Sequence, residues 1–257
     1  MSYENGRFIS LSVGGNEGYV VEPVGKVDTD RRWILIAPSW LGTTDAPSYA
    51  DLANPGKVEH EFYVEAALSR GFHIAGVEVG VSLGNPAGTL AFEKLHETLV
   101  KDYRLHPRAR IIAQSNGALM AYNWAARHPD CMDRIFGIYP ATDLRSWPGL
   151  ENACGAKSWR FPAAYDMTLE ELESRLVEFN PIEQLEPLAK QGVRIFHMHG
   201  SCDELVPCQA NSEELVRRYR QLGGNAELRI LEGIGHSPVP EFYQSERVLD
   251  FLLSRTE

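Results

Sequence analysis

The feature that most constrains this chain is a repeated alternation of short apolar runs with longer amphipathic stretches. WILIAPS (33–39) is a continuous apolar run bounded by charges and then by Gly42. A run of this kind reads as a strand buried on both faces. FHIAGVEV (72–79), ARIIAQS (109–115), RIFGIYP (134–140), VRIFHMHG (193–200) and AELRILEG (226–233) read as further strands. Between them fall helical stretches at 57–70, ended by Gly71, and at 87–103, 116–128, about 211–222 and around 241–254. Consecutive parallel strands need crossovers, and helices supply them, so the alternation specifies a mostly parallel sheet with helices on both faces. RFISLSV (7–13) and GYVVEP (18–23), separated by GGNE, add an antiparallel hairpin at the first edge, giving an α/β sheet of about eight strands.

One segment breaks the rhythm. Residues 141–192 are too long for an ordinary connection, and they carry Trp147, Trp159, Phe161 and Tyr165 before an amphipathic piece at about 168–179. The expectation is one domain over 1–257 with a cap inserted at about 145–190. The four cap aromatics are candidate walls of a substrate pocket.

The strongest chemical signal is AQSNG (113–117), directly after an apolar strand and directly before a helix. A sharp strand-to-helix turn holds a serine hydroxyl above the sheet, and strand and helix approach so closely that small residues are needed on either side. Ala113 and Gly117 meet that need, which nominates Ser115 as a nucleophile. A serine hydroxyl needs a base. Of eight histidines, His60, His96, His106 and His128 fall on or near helices and read as surface residues, while His73, His197 and His199 lie in strands and read as structural. His236 follows the last strand in GIGHSP (233–238), where a side chain reaches across the top of the sheet. The base needs a carboxylate to fix its tautomer. Asp203, in HGSCDELVP after a strongly apolar strand, is favoured over Asp143 in YPATDL.

The strings AQSNG, HGSCDELVP and GIGH, in that order, resemble the α/β-hydrolase fold, specifically its peptidase/esterase-like branch related to prolyl oligopeptidase catalytic domains and dienelactone hydrolase. The resemblance covers residues 7–254. It implies Ser115, Asp203 and His236 as a catalytic triad, without supplying a substrate. It also implies an oxyanion hole of two backbone N–H groups, one from Asn116. The other lies in PSWLG (38–42), where counting from the strand end points to Trp40, with Leu41 next; many relatives have His-Gly here, and this chain has Pro38-Ser39.

The reaction expected is acyl transfer to water without a cofactor, with a small or carbohydrate-linked carboxylic ester as first choice. An exopeptidase, a lactonase and a ligand-binding pseudo-hydrolase are the alternatives. Net charge is −10, from 35 acidic against 25 basic residues, which disfavours nucleic acid as a partner. No apolar run is long enough to span a bilayer, and the aromatics permit a homodimer without requiring one. MSYENGRFIS lacks a basic-then-apolar leader, so the expectation is a cytoplasmic protein or an exported one whose signal has been removed. Cys131, Cys154, Cys202 and Cys208 lack metal-ligand spacing, so no metal is expected. Free thiols are the favoured reading, although Cys154 and Cys208 lie in segments able to meet.

Overall fold

A computed structural model describes residues 3–37, 60–80, 82–155 and 163–255. Its strands are β1 (Gly6–Val13), β2 (Asn16–Pro23), β3 (Trp33–Ala37), β4 (His73–Val77), β5 (Ala109–Gln114), β6 (Met132–Ile138), β7 (Arg194–Gly200) and β8 (Ala226–Leu231). They form one eight-stranded sheet in the order β1-β2-β4-β3-β5-β6-β7-β8. β2 runs antiparallel to both β1 and β4, and every pairing from β4 to β8 is parallel. This is the α/β-hydrolase fold. The hairpin is tighter than the sequence suggested. Gly14 and Gly15, both at positive φ (58° and 90°), make the whole turn, and Asn16 already pairs with Val13. Two successive positive-φ residues match the right-handed twist of the flanking strands, and glycine adopts them without steric cost.

Both faces of the central strands are covered, which is why those strands read as unbroken apolar runs. Leu35, Ala37, Ile111, Ala113 and Ile135 face a core built with α2 (Pro86–Lys101), α3 (Gly117–Arg127) and α7 (Glu214–Gln221), where Phe92, Trp124 and Tyr219 are buried. Ile34, Ile36, Ile112 and Phe136 face the opposite core, built with α1 (Glu61–Ser69) and α9 (Glu246–Leu253), where Tyr63, Leu68 and Leu252 are buried. Each fully buried Leu, Ile or Phe among them contributes about 1.5–3 kcal/mol.

Three helical expectations change. The stretch at 241–254 is two helices, α8 (Pro240–Tyr243) and α9, broken at Gln244–Ser245. The stretch at 211–222 opens as a π-helical turn, Gln209–Glu213, before α7 begins. His60 is not a surface residue: it caps α1, is buried, and faces the ring of Tyr243.

The insertion after β6 carries α4 (Leu150–Ala153), α5 (Leu169–Ser174) and α6 (Glu186–Lys190). Thr168 and Glu171 close α5 with reciprocal capping hydrogen bonds. Leu144, Trp147, Ala153, Tyr165, Leu172 and Phe179 pack together on Leu119 of α3, so the insertion sits on the helix that follows Ser115. Trp40, Trp159 and Phe161 lie outside the described residues. No helix among the described residues is long and apolar enough to cross a membrane.

Candidate active site

The site forms where four strand ends meet. Ala37, Ala113 and Gly137 lie in register on β3, β5 and β6, so the strands leading to the turn carry small side chains there. Ser115 follows β5 at φ +48°, a conformation rare for a residue with a Cβ. Neighbouring backbone holds it there: the Ser115 N–H donates to Ile138 O at 3.0 Å, and Ser115 O accepts from the N–H groups of Ala118 (3.1 Å) and Ala141 (2.9 Å). The turn lifts the hydroxyl above the sheet, and Asn116 directly precedes α3, whose N-terminus favours negative charge.

The three residues nominated from sequence are joined by hydrogen bonds. Ser115 Oγ lies 3.0 Å from His236 Nε2, and His236 Nδ1 lies 2.7 Å from Asp203 Oδ2. Asp143 is engaged elsewhere: its Oδ1 accepts from Asn180 Nδ2 at 2.8 Å inside the insertion. Gly200 ends β7 so close to the histidine loop that an added Cβ would lie 2.2 Å from Ile234 O. The Cys202 N–H donates to that same carbonyl at 2.9 Å, tying the acid and base loops together.

Asp203 is almost completely enclosed. Its Oδ1 accepts from the N–H groups of Val206 (2.8 Å) and Leu205 (3.1 Å), while Oδ2 faces His236 Nδ1 and His199 Nε2 (3.2 Å). Burial alone would raise its pKa. The hydrogen bonds from His199, His236 and Val206 outweigh that and hold the carboxyl well below the usual carboxylate range. The site therefore presents an ionised acid, a base oriented by it and a hydroxyl within reach of the base, the arrangement that activates a serine for acyl transfer.

Sequence reasoning passed over two contributors. Tyr139, just past β6, lies against the His236 ring, with centroids 4.3 Å apart. His199, set aside as structural, touches the acid; its place four residues before Asp203, at the end of β7, is the signal that was available. The proposed pocket aromatics Trp147 and Tyr165 are both buried in the packed insertion, where the Tyr165 hydroxyl donates to Leu83 O at 3.0 Å. Cys131, Cys154, Cys202 and Cys208 are all free, and no cluster among the described residues is arranged to hold a metal ion.

The model of the prolyl oligopeptidase family matches residues 92–256, more than half of the chain and the part that contains Ser115, Asp203 and His236. Solved structures of the same fold are similar along nearly its whole length. The acylaminoacyl peptidase of Pyrococcus horikoshii aligns at 16% identity with a TM-score of 0.70, over 98% of this chain and 42% of that one. Dipeptidyl peptidase 4 of Porphyromonas gingivalis aligns at 16% identity and TM-score 0.68, over 96% and 35%. The chain thus spans well under half of these peptidases. Carboxyl esterase 2 of the fungus Tuber melanosporum is nearer in size, at 14% identity and TM-score 0.63, over 96% and 83%. No curated protein sequence matches the chain.

Proposed function

The chain belongs to the prolyl oligopeptidase family and is a serine hydrolase, and from that premise we propose that it hydrolyses carboxylic esters, small or carbohydrate-linked, through an acyl-enzyme on Ser115. The observation that carries the reading is the continuous relay from Ser115 Oγ through His236 to Asp203, at 3.0 and 2.7 Å.

His236 Nε2 takes the hydroxyl proton as Ser115 Oγ attacks the ester carbonyl. The negative charge that develops on the carbonyl oxygen is stabilised by the Asn116 N–H and by a second backbone donor, assigned to Trp40. His236 then protonates the departing alcohol, and a water deprotonated by the same nitrogen releases the acid. Asp203 stabilises the imidazolium at each stage and stays ionised throughout. Trp147 and Tyr165 would shape the substrate side of the site from within the packed cap.

Ester is favoured over amide on chemical grounds, because an alcohol leaves far more readily than an amine. An assembled relay therefore cleaves esters even where amides defeat it. Short-peptide hydrolysis is the second reading, supported by the family match and by the peptidases that share the fold.

The test is turnover of p-nitrophenyl esters from acetate to decanoate beside aminoacyl and dipeptidyl p-nitroanilides, with Ser115→Ala as control. Ester turnover that disappears in the control, with anilides untouched, supports the esterase. Anilide turnover at comparable kcat/KM replaces it with the peptidase. No turnover of any substrate, with Ser115 unlabelled by a fluorophosphonate probe, removes both.

A further inference from the structure

Behind Asp203 runs a buried line of polar side chains that the hydrolytic relay does not use. His199 Nε2 lies 2.8 Å from Val206 O and 3.2 Å from Asp203 Oδ2. His199 Nδ1 lies 2.8 Å from Ser212 Oγ, and the same oxygen lies 3.0 Å from His197 Nδ1. His197 Nε2 lies 2.7 Å from the Tyr122 hydroxyl. All four residues are buried, with 0% exposure at His197, His199 and Ser212. The fold is shaped around the line. An added Cβ at Gly137 would lie 2.7 Å from His197 Cδ2, so β6 leaves out a side chain where that ring sits. The π-helical turn Gln209–Glu213 carries Ser212 between the two rings; such turns recur at functional positions.

The hydrogens can be assigned by counting. Val206 O and the ionised Asp203 oxygen are acceptors only, so the hydrogen of a neutral His199 is on Nε2. His199 Nδ1 is then an acceptor, and it takes the single hydroxyl hydrogen of Ser212. The Ser212 oxygen accepts in turn from His197 Nδ1–H, which leaves His197 Nε2 to accept from Tyr122 O–H. Every hydrogen is used, and the His199 Nε2–H is shared between Val206 O at 2.8 Å and Asp203 Oδ2 at 3.2 Å. The opposite polarity would place a cation on the wholly buried His199 ring and leave the Tyr122 hydroxyl hydrogen without an acceptor among the described residues. Burial acts in the same direction at the far end, pushing His197 down to about 3 and Tyr122 well above its ordinary value.

We propose that His199 is a positioning residue for Asp203, and that Tyr122, His197 and Ser212 fix its ring and tautomer through this one-way chain. The proposal rests on the reading of Asp203 as the acid of a serine hydrolase. With Leu205 and Val206 N–H on Oδ1, and His236 and His199 on Oδ2, the carboxylate is held against rotation and Oδ2 stays aimed at His236. Tyr122 lies on α3, the helix that follows Ser115, so the chain also links the nucleophile's helix to the acid's loop.

The first measurement is long-range ¹H–¹⁵N correlation of the histidine rings in the wild-type protein, which reads tautomers whether or not the protein turns over a substrate. The expected result is His199 protonated at Nε2 alone and His197 at Nδ1 alone. His197 protonated at Nε2, or His199 at both nitrogens at neutral pH, overturns the assigned polarity.

The second compares His199→Gln, whose amide N–H replaces the Nε2 donor, with His199→Met, which has none. The readouts are ester kinetics and the rate of fluorophosphonate labelling. Loss of a hydrogen bond to the carboxylate is expected to lower kcat and labelling about tenfold in the Met variant with KM little changed, and the Gln variant should recover to within about threefold of wild type. Equal losses in both variants, or no loss in Met, overturn the positioning role. Should the Met variant fail to fold, the Gln variant and the wild-type tautomers still decide. A wild type inert to esters and probe removes the hydrolase reading instead, and the ring tautomers then test the chain by themselves.

Discussion

The ring of Tyr139 lies against the ring of His236, with centroids 4.3 Å apart and planes inclined by 55°. Tyr139 reaches this position from a backbone at φ +33°, just past β6, with its N–H donating to Met198 O at 2.8 Å. Its hydroxyl is hydrogen-bonded to Tyr243 and accepts from Gln114 Nε2 at 2.7 Å, so the phenol is fixed at both ends. An aromatic ring fixed beside the base limits the swing of the imidazole.

Separating ring from hydroxyl tests this. Tyr139→Phe keeps the ring and loses one network partner, so it is expected to cost about 1 kcal/mol of stability with kcat within a few-fold of wild type. Tyr139→Ala removes the ring, and kcat is expected to fall about tenfold, the upper order of an aromatic packing contact. Urea unfolding and steady-state ester kinetics read the two effects apart. Equal kcat in the two variants would remove the ring's role.

Asp203→Asn tests the tautomer argument. An amide retains the shape, but its N–H₂ can face His236 Nδ1 and turn the base to the tautomer with its hydrogen toward Ser115. The expected fall in kcat is about 10⁴-fold, against about 10⁶-fold for Ser115→Ala. Single-turnover acylation with p-nitrophenyl acetate measures both. A near-normal Asp203→Asn enzyme would mean that another carboxylate serves the base.

Gly200→Ala tests how the base loop is placed. The new Cβ would lie 2.2 Å from Ile234 O and 3.1 Å from Gly235 O, both backbone atoms, so the loop that bears His236 must move. A displacement of about 1 Å at a reacting group costs on the order of 10²-fold. The expected variant folds with lowered stability and loses activity by that order, seen as reduced kcat beside a lower unfolding midpoint. Full activity would show that the loop yields without moving the imidazole.

Legibility in the sequence followed how local each signal was. Strands from β3 to β7 could be read because burial on both faces leaves an unbroken apolar run, as in WILIA. Ser115, Asp203 and His236 could be located because each lies just beyond a strand, so chain position implied spatial position. The break at Gln244–Ser245 was missed because the helical pattern continues through it. His60 looked exposed because its partner, Tyr243, is remote in the chain. The roles of His197 and His199 depend on a π-helical turn that brings Ser212 between them, and no spacing of residues announces such a turn. The packing that buries Trp147 and Tyr165 is likewise a property of the whole insertion.

Acid should destabilise this protein through its buried histidines, and His73 gives the cleanest measurement. It opens β4, is 2% exposed, and is pushed down to about 4, first by burial and then by the nearby Arg31 charge. A buried histidine that resists protonation leaves the unfolded chain binding a proton that the native chain does not. The stability that this represents is complete above the ordinary value of 6.5 and drains away as pH falls toward about 4. Over two pH units the loss is about 2–3 kcal/mol from this residue. His197, pushed down to about 3, adds a loss of the same sign over a wider range. His73→Leu deletes one of the two titrations and leaves the catalytic relay untouched. The difference in unfolding free energy between about pH 7.5 and about pH 4.5 should therefore shrink by about 2–3 kcal/mol in the variant, measured by urea titration at each pH. An unchanged difference would mean that His73 takes up its proton in the native state and that its burial carries no acid sensitivity.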